Sequence, residues 1–251
     1  MPSTLISSKN NPIYKQLRQL AISRKHRHKT GEFLIESQKG IDALFHHQFE
    51  CKALFVKEGV PKQFVNSSFS IYTLTDALFN AITSTPNSLV VGQFLMPQRI
   101  TSCNPAWKKI FFLDALQDPG NLGAILRVAA AFSIDAVVLS KHCVDVFHPK
   151  VWRGSMGFSA TLPIIEEDDL SLEAIKASGF SCAGLEASAK QSISVLSDSK
   201  LVLVLGNEGQ GISERIKREC EAFYAIPIDE DVESLNVAVS AGIVAYQLQY
   251  L

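Results

Sequence analysis

Four unbroken apolar runs in the second half of this chain leave it few ways to fold: KIFFLDAL at 109–116, AVVLS at 136–140, LVLVLG at 201–206 and FYAIPI at 223–228. A strand with one face in water alternates polar and apolar residues. Continuous runs therefore require cover on both faces, and they point to a mostly parallel sheet flanked by helices. The intervening segments supply those helices: NLGAILRVAAAF, SLEAIKASG, SERIKREC and, last, LNVAVSAGIVAYQLQYL. In such sheets ligands sit beyond the carboxyl ends of the strands. The residues that follow each run are thus where chemistry is sought.

The front half reads differently. EFLIES, CKALFVK, SIYTL and SLVVGQFLM are short strands separated by the helical stretches QKGIDALFHH and TDALFNAI, the pattern of a smaller α/β domain. Between the halves, QRITSCNPAW is polar, aperiodic and broken by Pro105. The expected organisation is a basic arm over 1–30, a small α/β domain over 31–97, a linker over 98–107 and the parallel-sheet domain over 108–251. A chain of 251 residues can bury both cores.

Charge separates the two ends of a chain whose formal net charge is only −1. Residues 1–31 hold Lys9, Lys15, Arg18, Arg24, Lys25, Arg27 and Lys29 and no acid, whereas 161–251 hold 15 acidic and 6 basic residues. Such an arm is either a phosphate-neutralising segment or a solvated, frayed terminus. Composition excludes collagen-like and broadly disordered classes. No apolar run reaches the roughly 18 residues of a membrane helix, and the polar start lacks a secretory h-region, so a cytoplasmic address is expected. Cys51, Cys103, Cys143, Cys182 and Cys220 are odd in number and widely spaced, which fits neither a disulfide framework nor a C-x-x-C site; no metal is expected.

Three strand ends carry unusual residues. In LQDPGNLGAILRVAAAF, Asp118-Pro119-Gly120 makes a turn, Asn121 is read as the cap of a helix beginning near Leu122, and Arg127 follows a turn and a half later. Arg127 is either a snorkelling surface residue or a cation near the helix start. LVLVLGNEGQGIS runs straight into Gly206, Gly209 and Gly211 with Glu208 among them, either a plain turn or a loop that brings main chain close to a ligand. This spacing is neither the dinucleotide fingerprint nor a P-loop. In IPIDEDVESLNVAVSAGIVAYQ, an acidic loop precedes Ser234, read as the helix cap, and Asn236, read as a first-turn residue. The helix beyond is apolar around most of its circumference, so more than one side needs cover.

Taken together, Asn121-Leu-Gly-Ala-Ile-Leu-Arg127, Gly206-Asn-Glu208-Gly-Gln-Gly211 and Ile226-Pro-Ile with Ser234-Leu-Asn236-Val resemble the three ordered motifs of the SpoU family of RNA ribose 2′-O-methyltransferases, in the SPOUT superfamily. SMGFSATLPI resembles the family's segment between the first two motifs, and SSKNNPIYKQLRQL through EFLIES is similar to a substrate-binding domain with a ribosomal-protein-L30-like fold.

The resemblance implies an α/β fold in which a parallel-sheet domain ends in a trefoil knot and binds S-adenosyl-L-methionine. Leu185, Leu205, Gly206, Gly211, Ile226, Ile228 and Leu235 would hold the cofactor, with Gly184 and Glu186 assisting. Methyl transfer needs an oxygen nucleophile in line with the sulfonium carbon at about 3 Å. Arg127 would be catalytic with Asn121, Glu208 and Asn236. Because arginine does not ordinarily deprotonate in proteins, a phosphate clamp is the preferred role. Arg18, Arg24, Lys25, Arg27 and Lys29 would bind RNA, ribosomal RNA being favoured over transfer RNA, and the apolar last helix would lie in a homodimer. Where many members carry a serine, this chain has Ala238, with Ser240 following. The rival from another class is a non-catalytic RNA-binding or ribosome-assembly factor; a nicotinamide oxidoreductase is disfavoured by the glycine spacing.

Overall fold

The structure is a computed structural model that describes residues 4–60, 69–84, 87–160, 162–196 and 199–249. The chain divides into two compact units, Met1–Gln98 with Phe147–Arg153, and Arg99–Val146 with Gly154–Leu251.

The front unit contains, in order, β1 (Thr4–Ile6), α1 (Pro12–Ile22), α2 (Arg24–Thr30), β2 (Glu32–Ile35), α3 (Gln38–His46), β3 (Cys51–Lys57), β4 (Ser70–Leu74), α4 (Asp76–Asn80) and β5 (Val90–Leu95). Its strands make a mixed sheet in the order β1-β4-β3-β5-β2. The pairs β1/β4 and β3/β4 are parallel, and the two pairs with β5 are antiparallel. Residues expected in the arm thus include an edge strand and two helices. Asn11 caps α1 by accepting from the Ile13 and Tyr14 N–H groups, and Pro12 opens the helix where its missing N–H costs nothing. Tyr14, Leu17 and Leu20 form its buried face, packed with Leu34, Phe55 and Leu74. Residues 147–153 belong to this unit because their aromatic groups join its core: Phe147 and Trp152 lie 4.8 and 5.2 Å from the Phe33 ring. No periodic signal in the sequence marked that insertion.

The second unit continues with β6 (Lys109–Leu113), α5 (Pro119–Ala131) and β7 (Ala136–Leu139), then α6 (Pro149–Ser155), which starts in the inserted segment. After it come β8 (Ile164–Glu166), α7 (Leu172–Ala177), β9 (Ser181–Leu185), β10 (Gln191–Ser192), β11 (Leu201–Leu205), α8 (Glu214–Lys217), β12 (Ala222–Ala225) and α9 (Val237–Leu248). All seven strands are parallel, in the order β10-β12-β9-β11-β6-β7-β8. β6, β7 and β11 are buried almost throughout, as unbroken apolar runs demand, so β11 and β6 form the centre of the domain. β8, β9 and β10 complete a sheet of which the apolar runs displayed only four strands.

Two helix starts differ from the sequence reading. Asp118, not Asn121, caps α5: its carboxylate accepts the Asn121 N–H at 2.8 Å, and Pro119 takes the first helical position. Asn236, not Ser234, caps α9, its Oδ1 accepting from the N–H groups of Ala238 (2.9 Å) and Val239 (3.3 Å). Both shifts have one cause. A better acceptor stood at the correct spacing, and the displaced residue was left with its side chain available.

Candidate active site

The carboxyl ends of β11, β9 and β12 and the start of α9 surround a cavity of about 360 Å³. Leu185 to Ser188, Leu205 to Glu208, Gly211, Ile226, Ile228, Ser234, Leu235, Val237 and Ser240 line it. Every residue that the resemblance assigned to cofactor contact is among them except Gly184, which lies one residue before the lining.

The loop after β11 owes its shape to two glycines and one asparagine. A Cβ on Gly206 would lie 2.3 Å from the Gly211 carbonyl carbon, so a side chain there must displace main chain, and Gly211 has φ +70°, where any other residue is strained. Asn207 and Gly211 exchange backbone hydrogen bonds at 2.9 and 3.0 Å. The Asn207 Oδ1 accepts from the N–H groups of Gly209 and Gln210, while its Nδ2 donates to the Ala115 carbonyl at 2.8 Å. Asn207 ties the loop to the end of β6. The sequence reading gave it no role, although an asparagine ahead of Gly-x-Gly is an Asx-turn signal. Buried Asp114 makes a second tie by accepting the Ser213 N–H at 2.7 Å.

Three side chains from three strand ends meet in one relay. Asn236 Nδ2 donates to Asn121 Oδ1 at 3.0 Å, and Asn121 Nδ2 donates to Glu208 Oε1 at 2.8 Å. Asn236 can do this because its Oδ1 caps α9 while its amide hydrogens face away. Asn121 can do it because Asp118 has taken over capping. Asn121 does not itself line the cavity; it reaches the lining through Glu208.

Arg127 stands six residues beyond Asn121 on α5, about 9 Å along the helix axis. It is exposed, does not line the cavity, and has no hydrogen bond or ion pair among the described residues. On the far wall, Glu186 Oε1 and Lys217 Nζ are 2.8 Å apart, and that carboxylate holds the Lys217 ammonium above the ordinary lysine range.

The basic residues of the front unit divide. Arg18, Arg24, Lys25 and Lys29 are exposed. Arg27 is only 3% exposed, and its Nη1 donates to the carbonyls of Leu20 (2.7 Å) and Ala21 (3.4 Å), satisfying the last turn of α1 instead of facing solvent. Among the described residues no helix is long and apolar enough to cross a membrane, and no group of three His, Cys, Asp or Glu side chains is arranged to hold a metal.

Comparison with known proteins bears on both units. A family model described as the SpoU rRNA Methylase family matches residues 108–246, and one described as an MRM3-like substrate binding domain matches 11–91. The chain is 30% identical over 254 aligned residues, 97% of its own length and 98% of the relative's, to the 23S rRNA (guanosine(2553)-2′-O)-methyltransferase RlmP of Bacillus subtilis. Among solved structures it is similar to the AdoMet-bound rRNA methyltransferase from Sinorhizobium meliloti, with a TM-score of 0.84, 25% identity and coverage of 99% and 98% of the two chains. The SpoU methyltransferase AviRb from Streptomyces viridochromogenes, solved in complex with AdoMet, shares the fold with a TM-score of 0.86 at 22% identity, covering 96% of this chain and 98% of that one.

Proposed function

The chain belongs to the SpoU rRNA methylase family, and from that premise we propose how its residues serve an S-adenosylmethionine-dependent RNA ribose 2′-O-methyltransferase whose substrate is ribosomal RNA. The reading rests on one observation above the rest: the cavity between the 206–211 loop and the start of α9 has the Asn236–Asn121–Glu208 relay bound to its lining.

The cavity suits the cofactor. Its volume lies within the range of small-molecule sites, and Leu205, Ile226, Ile228, Leu235 and Val237 offer apolar surface beside main-chain donors and acceptors. S-adenosylmethionine supplies an electrophilic methyl group on a sulfonium. Leu185, Leu205, Gly206, Gly211, Ile226, Ile228 and Leu235 grip it, chiefly through backbone. The loops that do so belong to a trefoil knot, which keeps these groups fixed before binding and avoids an ordering cost at the moment of contact.

Asn121, Glu208 and Asn236 orient the target nucleotide beside the relay. Arg127, with no hydrogen bond or ion pair among the described residues, clamps the phosphate next to the target ribose through its planar fork. That positions the 2′-oxygen and favours the developing charge, and the hydroxyl proton passes to phosphate or water, not to the guanidinium.

RNA is held by the exposed cations Arg18, Arg24, Lys25 and Lys29 of the front unit, with 98–107 as linker and 108–251 as the methyltransferase domain. The enzyme works as a cytoplasmic homodimer. Val239, Ile243 and Tyr246, spaced i, i+4 and i+7 along α9, are 51%, 40% and 54% exposed, an apolar stripe suited to a second copy. A monomer at micromolar concentration in light scattering would remove the dimer.

Transfer of labelled methyl from S-adenosylmethionine to total RNA, followed by mapping of the modified nucleotide, tests the activity. Label at a ribose 2′-oxygen of ribosomal RNA is expected, and label in transfer RNA alone would replace the substrate assignment. Isothermal titration separates the non-catalytic rival, which would give no heat with S-adenosylmethionine.

A further inference from the structure

Glu186 lines the cavity, yet the relay and the phosphate clamp make no use of it. It follows β9 directly. Its N–H donates to the Tyr224 carbonyl at 3.0 Å and its carbonyl accepts the Ala189 N–H at 3.2 Å, so the backbone beneath the side chain is fixed. The side chain is 23% exposed, and Lys217 Nζ lies 2.8 Å from Oε1. A carboxylate accepts at about four lone-pair positions, so this ion pair sets its direction and leaves acceptors to spare. Lys217 in turn is anchored on α8, where Glu214 stands 3.8 Å away.

Position decides what those acceptors meet. In the sheet, β9 is separated from β6 by β11, two strand spacings or about 10 Å. Asn121, at the start of the helix that follows β6, marks the reacting side. Glu186 therefore faces the half of the cavity away from the relay. The side chains of Ile226 and Ile228 there offer nothing to a hydroxyl group, and Glu186 is the charged side chain that lines this part of the cavity.

We propose that Glu186, oriented by Lys217, accepts hydrogen bonds from the vicinal ribose hydroxyls of the cofactor's nucleoside and so selects a ribonucleoside. The proposal rests on S-adenosylmethionine occupying this cavity. Lys217 is a positioning residue that does not touch the cofactor.

Isothermal titration of the full chain with S-adenosylmethionine, 5′-methylthioadenosine and 2′-deoxy-5′-methylthioadenosine tests it. The second ligand lacks the amino-acid tail, and the third also lacks one hydroxyl. The wild-type protein is expected to prefer the ribo over the deoxy ligand by roughly tenfold to a hundredfold, the usual range for a hydrogen bond to a charged group. Glu186→Gln should collapse that preference and weaken S-adenosylmethionine and methylthioadenosine by a similar factor. Lys217→Met should raise KM for S-adenosylmethionine several-fold with little change in kcat, and Lys217→Arg should restore it. Equal binding of ribo and deoxy ligands by the wild-type protein overturns the proposal without any variant. So does Glu186→Gln that keeps the preference, or that weakens S-adenosylmethionine alone, which would assign the carboxylate to the ammonium. If the wild-type protein binds none of the three, the cavity assignment itself fails; binding with no ribo preference sinks only the role of Glu186.

Discussion

The two units are both α/β, but they use their sheets in opposite ways. In the rear unit every strand runs in the same direction, so the carboxyl ends of β12, β9, β11 and β6 fall on one edge and their loops crowd together. In the front unit β5 runs antiparallel to both its neighbours, so its carboxyl end falls on the edge opposite to those of β1, β2, β3 and β4. The all-parallel sheet gathers its loops around the cavity. The polar chemistry follows. The rear site is built of main chain, two amides and two carboxylates around apolar residues, and the front unit offers exposed cations on α1 and α2.

The comparison can be broken most severely at Gly206. Gly206→Ala forces a methyl group to within 2.3 Å of the Gly211 carbonyl carbon, and the loop must open. Loss of S-adenosylmethionine binding by at least a hundredfold is expected in calorimetry, with RNA affinity in filter binding within about threefold of wild type. Equal loss of both would mean that the units do not divide the labour.

Arg127→Lys keeps the charge but loses the planar fork. We expect the methylation rate under saturating S-adenosylmethionine to fall at least tenfold, with cofactor affinity unchanged. A rate close to wild type would rule out a bidentate phosphate clamp.

In the front unit, replacing Arg18, Arg24, Lys25 and Lys29 together by alanine should flatten the dependence of log Kd for RNA on log salt. The slope changes by about 0.7 for each single-strand phosphate that the protein ceases to neutralise. Arg27→Ala should leave the slope alone. Its cost is to stability, about 1–3 kcal/mol for two carbonyls of α1 left without their buried donor, readable by urea denaturation. A reversed outcome would exchange the roles of buried and exposed arginines.

The smallest effect concerns thiols. Burial pushes Cys51 in the front unit up to about 12. In the rear unit Cys182 Sγ donates to Cys220 Sγ at 3.8 Å, which holds the Cys220 thiol below the ordinary cysteine range, helped by the nearby Lys176 ammonium. Thiolate is the nucleophile, so its fraction at Cys220 rises at lower pH than at Cys51. Alkylation of the folded protein between pH 7 and 9, followed by peptide mass mapping, should label Cys220 before Cys51.

Much of the rear unit was legible because its signals are local. Buried parallel strands declare themselves as unbroken apolar runs, and a glycine that must approach main chain cannot be replaced by another residue. Other features depended on neighbours remote in sequence. Whether Asn121 caps a helix or reaches across to Glu208, 87 residues away, is decided by which acceptor wins the cap, and Asp118 won. Arg27 looked like its basic neighbours until Leu20 and Ala21 claimed it. The packing of Phe147 and Trp152 against Phe33 joins segments more than 110 residues apart and leaves no periodic trace.

By itself, then, the sequence determined the layers, the parallel direction of the rear strands and the residue types at their ends, since burial pattern and backbone freedom are properties of short segments. Only the tertiary structure decided which of those residues share a hydrogen bond, which arginine is buried, and that Lys217 sets the direction of Glu186. Those outcomes depend on distances between strands, and a distance across a sheet is fixed by how the whole chain packs.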